Sequence, residues 1–541
     1  MKVILAGYNI EHELLEELGK GRRVLPTPET IAAAYARISR SDKSVDELRS
    51  EARKEVARSR KSNQTIVFEM GHHSIAEHAV FNFDIIGISR LASEALEHHR
   101  LNAYTEKSQR YVSLTDDFVV PAELEADEFR DEFVSTVRTQ NRYYHLLFER
   151  LLQYQKEKHP GRASEPGLEN AAKEDARYIT SLATRTQLGM TVNARNLELM
   201  VRRFAASELA EVRQLGQELC AQASAVAPSL LLFCGASDYD TRTALRVREF
   251  AATFMTPAFP RRPKNFIAHS ASDVTLVDYT PNADNKLLAA MMHSSSKASF
   301  AECQARVERQ TLARKKEVFK LVCQDLAAYD AVLREFEHLY VSFELVLSAS
   351  CFAQLKRHRL MTLTCQPYNP TVGWTIPVSV AEIKEHRNFK DMLAQTEEAY
   401  EHIAATNPAA AQYVLTNAHQ RRCLVTLNAR ELYHICRLRE DMTAQWDIRD
   451  IASRMVEQAR HVMPLTLTLA SGKDAYPKLF AELYGHPPAV TSLELPASRP
   501  LPQECRSFGP SEPAESGQDV TKAGAAKPAP RKSRKPKTRK G

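Results

Sequence analysis

A segment in the first third of the chain gathers side chains that can bind an anion. It reads His98-His99-Arg100-Leu-Asn-Ala-Tyr-Thr-Glu106-Lys-Ser108-Gln-Arg110-Tyr111. The two-residue spacing of Glu106, Ser108 and Arg110 predicts that these side chains lie on one side of an extended loop. A carboxylate, a hydroxyl and a guanidinium together suit a ligand that carries a phosphate and a polar ring.

An altered second copy of this segment lies far downstream. It reads Arg357-His358-Arg359-Leu-Met-Thr-Leu-Thr-Cys365-Gln-Pro367-Tyr-Asn369. A basic triplet that occurs once is well explained as a solvated helix end, where cations offset the helix dipole. Here the triplet recurs, and Gln354 precedes Arg357 by three residues, which places both on one face of a helix. That arrangement favours an anionic ligand at the helix end.

A third pattern, Asn-Ala-Arg, also occurs twice, at Asn193 and at Asn428. Asn428 is suited to capping a helix N-terminus. Arg430, His434 and Arg439 follow it within that helix. Taken alone, Arg439 is better explained as a charge at a helix C-terminus, and the nearby Trp446 as a core residue.

Several common chemistries have no counterpart in the sequence. Five histidines (His72, His73, His78, His98 and His99) lie in one region, but their spacing fits no standard zinc pattern and no cysteine joins them, so we expect no metal site. No Gly-rich phosphate loop and no Ser-His-Asp arrangement is recognisable. Chemistry at this site would therefore depend on a cofactor and on positioned cations rather than on a protein nucleophile.

The elements that must position these residues occur in two series. Residues 1–8 predict a strand and the segment after Pro28 predicts a helix, and the same order restarts at Asp273. Each series continues with a charged helical stretch, a Glu-His step, an alternating apolar strand, the basic triplet and the Asn-Ala-Arg helix. A repeat of this size indicates a duplicated domain. Between the two copies, residues 236–272 contain Pro257, Pro260 and Pro263 and predict a linker.

Composition and charge describe a soluble protein with a basic tail. The chain has 541 residues, and its net charge of +6 depends on nine Lys and Arg within residues 522–541, so the remainder is mildly acidic. Residues from about 496 to 541 lack periodicity and predict disorder. No apolar run approaches the length of a membrane span. Nine cysteines without a CxxC pair predict buried free thiols and a cytoplasmic location.

These motifs together resemble one family. The chain carries Gly71-His72-His73-Ser74 before Glu77-His78, then the basic triplets, the Ser108-Gln-Arg110-Tyr111 loop and the Asn-Ala-Arg helices. This set is similar to that of the flavin-dependent thymidylate synthases, and the similarity covers both copies, roughly 1–235 and 273–475. The resemblance implies an α+β fold in two tandem copies, each a mixed sheet with long helices, that form an intrachain pseudo-dimer.

The resemblance also implies an activity and its cofactors. Members of this family bind FAD tightly and convert dUMP to dTMP, with methylenetetrahydrofolate as the carbon donor and NADPH as the reductant. They are homotetramers with active sites at subunit interfaces, so a homodimer of this chain would stand in for the tetramer.

When the family's site residues are assigned to this sequence motif by motif, the two copies keep different subsets of them. The expected dUMP-binding residues are Glu106, Ser108, Arg110, Arg177, Gln354 and Arg439. The expected FAD-binding residues are Ser74, His99, Arg100, Arg357, His358, Arg359, Asn428, Arg430 and His434. The first copy keeps the substrate loop but has Ala95 and Phe204 where the second has Gln354 and Arg439. The second copy keeps those two but has Cys365, Pro367 and Asn369 in its loop, and Gln412 in place of Arg177.

This division predicts one composite site. In the family, each dUMP site takes the loop and the mid-chain arginine from one subunit, and the glutamine and the late arginine from a neighbour. We therefore predict a thymidylate synthase-like copy over 1–235, a linker over 236–272, a second copy over 273–490 and a tail over 496–541. The alternative is a catalytically degenerate flavin- or nucleotide-binding homologue with a regulatory or nucleic-acid-associated role. The basic tail is expected to contact nucleic acid only weakly.

Overall fold

The computed structural model describes residues 1–112, 114, 116–162, 166–255 and 273–489. Contacts divide the chain into a unit Met1–Thr491, which holds both copies of the duplicated fold, and Ser492–Gly541. The predicted tail therefore lies outside the described residues. No helix of the described residues is both long and apolar enough to cross a membrane.

Each copy, hereafter repeat 1 and repeat 2, is built on one four-stranded sheet. The strands are β1 (Lys2–Tyr8), β2 (Val80–Ser89), β3 (Ala103–Glu106), β4 (Arg185–Asn193), β5 (Asp273–Tyr279), β6 (Tyr340–Ser348), β7 (Thr362–Cys365) and β8 (Gln420–Asn428). Their orders are β1-β2-β4-β3 and β5-β6-β8-β7. Every pairing is antiparallel, so the expectation of mixed sheets was wrong. The α+β class and the tandem arrangement are confirmed.

The helices follow the same plan in both repeats. Repeat 1 contains α1 (His12–Gly19), α2 (Glu29–Arg37), α3 (Val45–Lys54), α4 (Val56–Asn63), α5 (Arg90–Glu97), α6 (Arg130–Lys158), α7 (Pro166–Ala176), α8 (Ala194–Ala205) and α9 (Ala210–Ser224). After α10 (Asp238–Phe254), repeat 2 contains α11 (Ala283–Ser294), α12 (Phe300–Glu308), α13 (Leu312–Cys323), α14 (Ala349–Leu355), α15 (Val378–Glu382), α16 (His386–Thr406), α17 (Pro408–Ala411), α18 (Ala429–Arg439), α19 (Trp446–Val462) and α20 (Tyr476–Tyr484).

Four polar residues at strand ends, two serines and two asparagines, start the helices that carry the site. Ser89 and Ser348 cap α5 and α14, accepting from backbone N–H groups at 2.9 Å and 3.0 Å. Asn193 and Asn428 cap α8 and α18 in the same way, at 2.9 Å and 2.8 Å. Because the cap satisfies an orphan N–H directly after the strand, each helix leaves its sheet at a fixed position. The prediction that Asn428 is a helix cap is confirmed.

The two repeats share part of their cores. One apolar cluster belongs to each sheet, and two further clusters mix residues of both repeats, among them Leu182, Tyr413, Tyr178 and Phe389. Backbone hydrogen bonds cross the junction in related pairs: Leu182 N donates to Leu415 O at 2.8 Å, and its counterpart Asn417 N donates to Thr180 O at 2.9 Å. The repeats therefore pack as an intrachain pseudo-dimer.

One prediction about local structure needs correction, and the linker stays a prediction. The first part of the predicted linker forms α10, while residues 256–272 lie outside the described residues. Cys220 and Cys234 form a disulfide, so the expectation that the cysteines are all free was wrong. The two residues are close because α9 ends near the segment after Leu230, a proximity that spacing alone does not reveal. The other described cysteines are free.

Candidate functional site

Arginines from both repeats converge at the junction. Arg110 lies in the turn after β3 and Arg177 follows α7, whereas Arg357 follows α14 and Arg439 ends α18. Arg110 Nη2 donates to Thr443 O at 3.1 Å, which ties the repeat 1 loop to the segment after α18. Arg110 lies close enough to lower the pKa of both Arg177 and Arg439, and Arg357 lowers the pKa of Arg439 as well. Four residues that are remote in sequence thus form one cationic cluster.

Arg177 is a buried cation with unused hydrogen-bonding capacity. It is 5% exposed, and its Nε donates to Glu174 O at 3.2 Å. Its Nη2 has no hydrogen-bonding partner among the described residues. Burial lowers the pKa of Arg177, and Arg110 and Arg90 add to that effect while Glu174 opposes it. A buried guanidinium in this state gains from an anionic ligand.

Arg439 is surrounded by neutral partners. Its Nε donates to His358 Nε2 at 2.9 Å, and its terminal nitrogens donate to Gln354 Oε1 at 3.4 Å and Gln354 O at 3.2 Å. Burial lowers the pKa of His358 to about 3, so this imidazole is neutral and accepts the bond at Nε2. Burial, with Arg357 and Arg110, lowers the pKa of Arg439 to about 10, which still leaves it charged at neutral pH.

The three polar residues of the predicted substrate loop have different surroundings, although their spacing is regular. Glu106 ends β3 and faces inward, where its Oε1 accepts from Ser93 Oγ and Thr186 Oγ1, each at 3.1 Å. Although burial raises its pKa, the cations Arg90, Lys356 and Arg357 lower it overall. Ser108 Oγ accepts from Arg110 N at 3.2 Å. Arg110 pairs with Glu174. Because Val112 N donates to Ser108 O at 3.1 Å, the chain turns at Ser108, and the three residues do not lie along an extended loop.

Glu106 also links the two repeats. Arg357 Nη2 lies 3.9 Å from Glu106 Oε2, and beside it Lys356 Nζ lies 2.8 Å from Glu97 Oε2. Both ion pairs join a repeat 1 carboxylate to a repeat 2 cation. The basic segment after α14 is thereby held against the end of β3.

A cavity of about 810 Å³ adjoins this cluster and is also lined by both repeats. Of the residues expected to bind FAD, it contains Arg100, Arg357, His358, Arg359, Asn428, Arg430 and His434. Its size is that of a small-molecule or cofactor site. The several cations of its lining suit a ligand with phosphates, and His358 Nδ1, which lies 3.5 Å from Glu431 Oε1, is buried beside them.

Two of the residues expected to bind FAD do not line this cavity. Ser74 is exposed in a short turn of helix, His73–His78, and does not line this cavity. His99 lines a second cavity of about 620 Å³ and packs edge-on against Phe204, with ring centroids 5.5 Å apart. Burial lowers the pKa of His99 to about 3, so it carries no charge there.

The equivalent position in the other half of the pseudo-dimer is filled by protein side chains. Tyr368, in the repeat 2 loop, is 1% exposed, and its hydroxyl donates to the Glu94 carboxylate at 3.0 Å and 3.1 Å. Arg421 Nη1 lies 3.1 Å from Glu94 Oε2, and its guanidinium stacks on the rings of Tyr368 and Phe352 at 4.3 Å and 4.7 Å. The cation in this half already has a carboxylate and two rings as partners.

The residues that replace the missing motif positions are also satisfied internally. Gln412, in place of Arg177, accepts from Tyr368 N at 3.2 Å. Asn369, in place of Arg110, accepts from Thr371 N at 2.9 Å. Neither offers a free positive charge to an anion, so the two halves differ in chemistry although their backbones correspond.

Several residues near the cluster were not predicted. Glu174 pairs with Arg110, and Gln445 and Tyr178 form buried hydrogen bonds next to Gln354. No spacing in the sequence indicates them, because each is positioned by a contact with a segment distant in the chain. Trp446, predicted as core, is half-buried and stacks on Tyr178, and its Nε1 donates to Asp175 Oδ1 at 2.8 Å. The described residues contain no cluster of three or more potential metal ligands.

Comparisons with known proteins agree with the duplicated architecture. The family described as thymidylate synthase complementing protein matches residues 23–229 and again residues 275–465. A flavin-dependent thymidylate synthase of Clostridium tetani is 30% identical over 217 residues, which cover 39% of this chain and 84% of that protein. One from Geobacter sulfurreducens is 31% identical over 215 residues, covering 39% of this chain and 83% of that protein.

A longer relative spans both repeats. A protein of Chlamydia muridarum, named only UPF0159 protein, is 24% identical over 430 residues, covering 74% of this chain and 78% of that protein. Among solved structures, the flavin-dependent thymidylate synthase ThyX from Helicobacter pylori, complexed with FAD and dUMP, matches at 19% identity with a TM-score of 0.28. That match covers 43% of this chain and 100% of the solved chain. Because the family's match occurs once in each repeat and spans more than half of the sequence, this protein belongs to the thymidylate synthase complementing protein family, as two tandem copies in one chain.

Proposed function

We propose that this protein is an FAD-dependent thymidylate synthase that methylates dUMP to dTMP with methylenetetrahydrofolate and NADPH. The relatives named flavin-dependent thymidylate synthase support this activity. The observation that carries it is the cluster of Arg110, Arg177 and Arg439 at the junction, in which a buried Arg177 nitrogen has no hydrogen-bonding partner among the described residues. A nucleotide phosphate supplies the anion that such a cluster lacks.

In this proposal the substrate site is composite. Glu106, Ser108, Arg110 and Arg177 come from repeat 1, and Gln354 and Arg439 come from repeat 2. The arginines bind and orient the nucleotide, and the low-dielectric junction strengthens each charge–charge interaction. The closed position at Tyr368, Glu94 and Arg421 supports a single nucleotide site per chain.

The large cavity fits a flavin. Arg357, His358, Arg359 and Asn428 would hold it from repeat 2, and Arg100 from repeat 1, with Arg430 and His434 at its edge. A bound flavin supplies the hydride chemistry of the reduction. The protein's own side chains bind the nucleotide, exclude water and fix the relative orientation of the reactants.

Matched substitutions in the two repeats test the composite site. Arg110→Ala and Arg439→Ala should each abolish dTMP formation, because each removes a charge from the anion site. Asn369→Ala replaces the repeat 2 counterpart of Arg110 and should leave the rate within about twofold. Formation of dTMP is measured with dUMP, methylenetetrahydrofolate and NADPH.

The repeat 1 counterpart of Arg439, Phe204, requires a more conservative control substitution than alanine. Phe204 is 4% exposed in the repeat 1 core, so Phe204→Ala would destabilise the fold by roughly 3–5 kcal/mol. Phe204→Leu keeps most of the apolar volume and should retain activity. Full activity of Arg110→Ala would rule out the composite site.

A further inference from the structure

A buried hydrogen-bonded chain leads away from the proposed substrate site. Arg439 donates to Gln354, whose Nε2 donates to Gln445 Oε1 at 3.3 Å. Gln445 Nε2 then donates to the Tyr178 hydroxyl at 2.6 Å, and Tyr178 donates to Asp447 Oδ2 at 2.9 Å. Gln445 and Tyr178 are both 0% exposed, so water cannot replace these bonds.

The chain closes on the helix that carries Gln354. Asp447 Oδ2 also accepts from Ser348 Oγ at 2.6 Å, and Ser348 caps the first turn of α14. Gln354 lies near the end of α14. The start of α19 therefore holds both ends of this short helix, through Asp447 at one end and Gln445 at the other.

The orientation of the Gln445 amide is fixed by its surroundings. Its oxygen also accepts from Ile448 N at 3.3 Å, because Gln445 caps α19. Its nitrogen must then face Tyr178. With the oxygen directed toward Gln354, the Gln354 amide is turned so that its own oxygen accepts from Arg439.

The corresponding region around repeat 1 shows which of these hydrogen bonds serve the fold alone. There Ser89 Oγ and Tyr413 donate to Glu211 Oε2 at 2.6 Å and 2.8 Å. This serine, tyrosine and carboxylate arrangement reproduces Ser348, Tyr178 and Asp447. The pseudo-dimer thus uses the arrangement twice, regardless of whether a substrate site adjoins it.

The remaining polar residues of the network, Gln445, Gln354 and Arg439 (hereafter the branch), occur in one half of the pseudo-dimer only. Gln445, which precedes α19, corresponds to Leu209, which precedes α9. Gln354 and Arg439 correspond to Ala95 and Phe204. Every polar member of the branch is therefore apolar in the half whose nucleotide position is closed. If Gln445 served only the fold, its loss would have no reason to accompany the loss of Gln354 and Arg439.

We infer that Gln445 is a positioning residue for the nucleotide, which sets the Gln354 amide and through it Arg439, and that Tyr178 anchors Gln445 from repeat 1. This inference rests on the proposed function, because the nucleotide is its ligand. It adds a residue that touches no substrate and that none of the motifs above contains.

Titration calorimetry with dUMP on the purified flavin-loaded full chain tests this role. Gln445→Leu, which installs the repeat 1 residue type, should weaken dUMP binding about tenfold through loss of the bond that orients Gln354. Tyr178→Phe should also weaken dUMP binding. The KM for dUMP should rise in parallel while kcat stays within about twofold, as expected for a group that acts equally on bound substrate and transition state.

Counterpart substitutions separate positioning from folding. Tyr413→Phe removes the equivalent bond to Glu211, so it should lower the melting temperature by an amount similar to Tyr178→Phe and leave the Kd for dUMP unchanged. Leu209→Gln should also leave that Kd unchanged. An unchanged Kd in both Gln445→Leu and Tyr178→Phe would overturn the positioning role. Failure of the unaltered chain to bind dUMP would instead overturn the proposed function itself.

Discussion

At the scale of single residues, the site is a set of cations whose partners are incomplete. Among the described residues, Arg177 has a buried nitrogen without a hydrogen-bonding partner, and Arg439 donates to the neutral side chains of His358 and Gln354. Desolvation and repulsion from neighbouring arginines lower the pKa values of both, so the ligand-free cluster costs folding free energy. An anion that binds the folded state offsets this cost, and binding is thereby linked to stability.

Arg177→Met tests this trade-off directly. In urea unfolding without nucleotide, the variant should be as stable as the unaltered chain or more stable by about 1 kcal/mol, because it removes a buried charge that lacks a full set of partners. Added dUMP should raise the unfolding free energy of the unaltered chain only.

An exposed arginine provides the control for that experiment. Arg130, paired with Asp131 on the surface, should change stability by less than about 0.5 kcal/mol when replaced by Met. A loss above about 2 kcal/mol in Arg177→Met would mean that Arg177 serves the fold rather than an anion.

At the scale of elements, duplication preserved the backbone and changed the chemistry attached to it. The turn after β3 carries Arg110, whereas the turn after β7 carries Asn369 and the buried Tyr368. Helices α8 and α18 begin in the same way and end with Phe204 and Arg439 in corresponding positions. Strand pairing and capping use backbone groups that both repeats retain, so side chains at the ends of elements could diverge.

The shared caps predict equal energetic effects. Asn193→Ala and Asn428→Ala should each lower the unfolding free energy by about 1 kcal/mol, because each removes one hydrogen bond from a side chain to a helix N–H. Chemical denaturation with an unchanged m-value measures the effect. Serine at either position should restore most of it, and a cost at one position alone would show that the two helices are not equivalently capped.

At the scale of the whole molecule, the junction makes the two repeats interdependent. Two of the apolar clusters draw on both repeats, and Gln140 of α6 donates to Thr396 Oγ1 at 2.8 Å and to Val414 O at 3.0 Å in repeat 2. Separation would expose these apolar surfaces and leave such buried polar groups unpaired. The proposed nucleotide site also exists only in the assembled pair.

We therefore expect the described unit to unfold in one cooperative transition. Both tryptophans, Trp374 and Trp446, lie in repeat 2, so tryptophan fluorescence reports that repeat while far-ultraviolet circular dichroism reports both. The two signals should give coincident urea transitions. A fluorescence midpoint displaced from the dichroism midpoint would show that the repeats unfold independently.

The sequence alone determined the features that depend on local chemistry and spacing. The duplication, the strands before each basic triplet, the Asn428 cap and the family membership follow from residue types at fixed intervals. Such patterns are legible because strand alternation and helix capping involve residues close together in the chain. The resemblance also predicted that the substrate loop and the late arginine are kept in different repeats.

Only the tertiary structure decided how those residues meet. It placed Arg110 of repeat 1 beside the end of α18, filled the other position with Tyr368, Glu94 and Arg421, and joined Gln445 to Tyr178. It also shows that Cys220 pairs with Cys234, that both sheets are antiparallel and that Ser74 does not line the large cavity. Each of these depends on the packing of segments distant in sequence, and the partner of a buried polar group is set by that packing rather than by its neighbours along the chain.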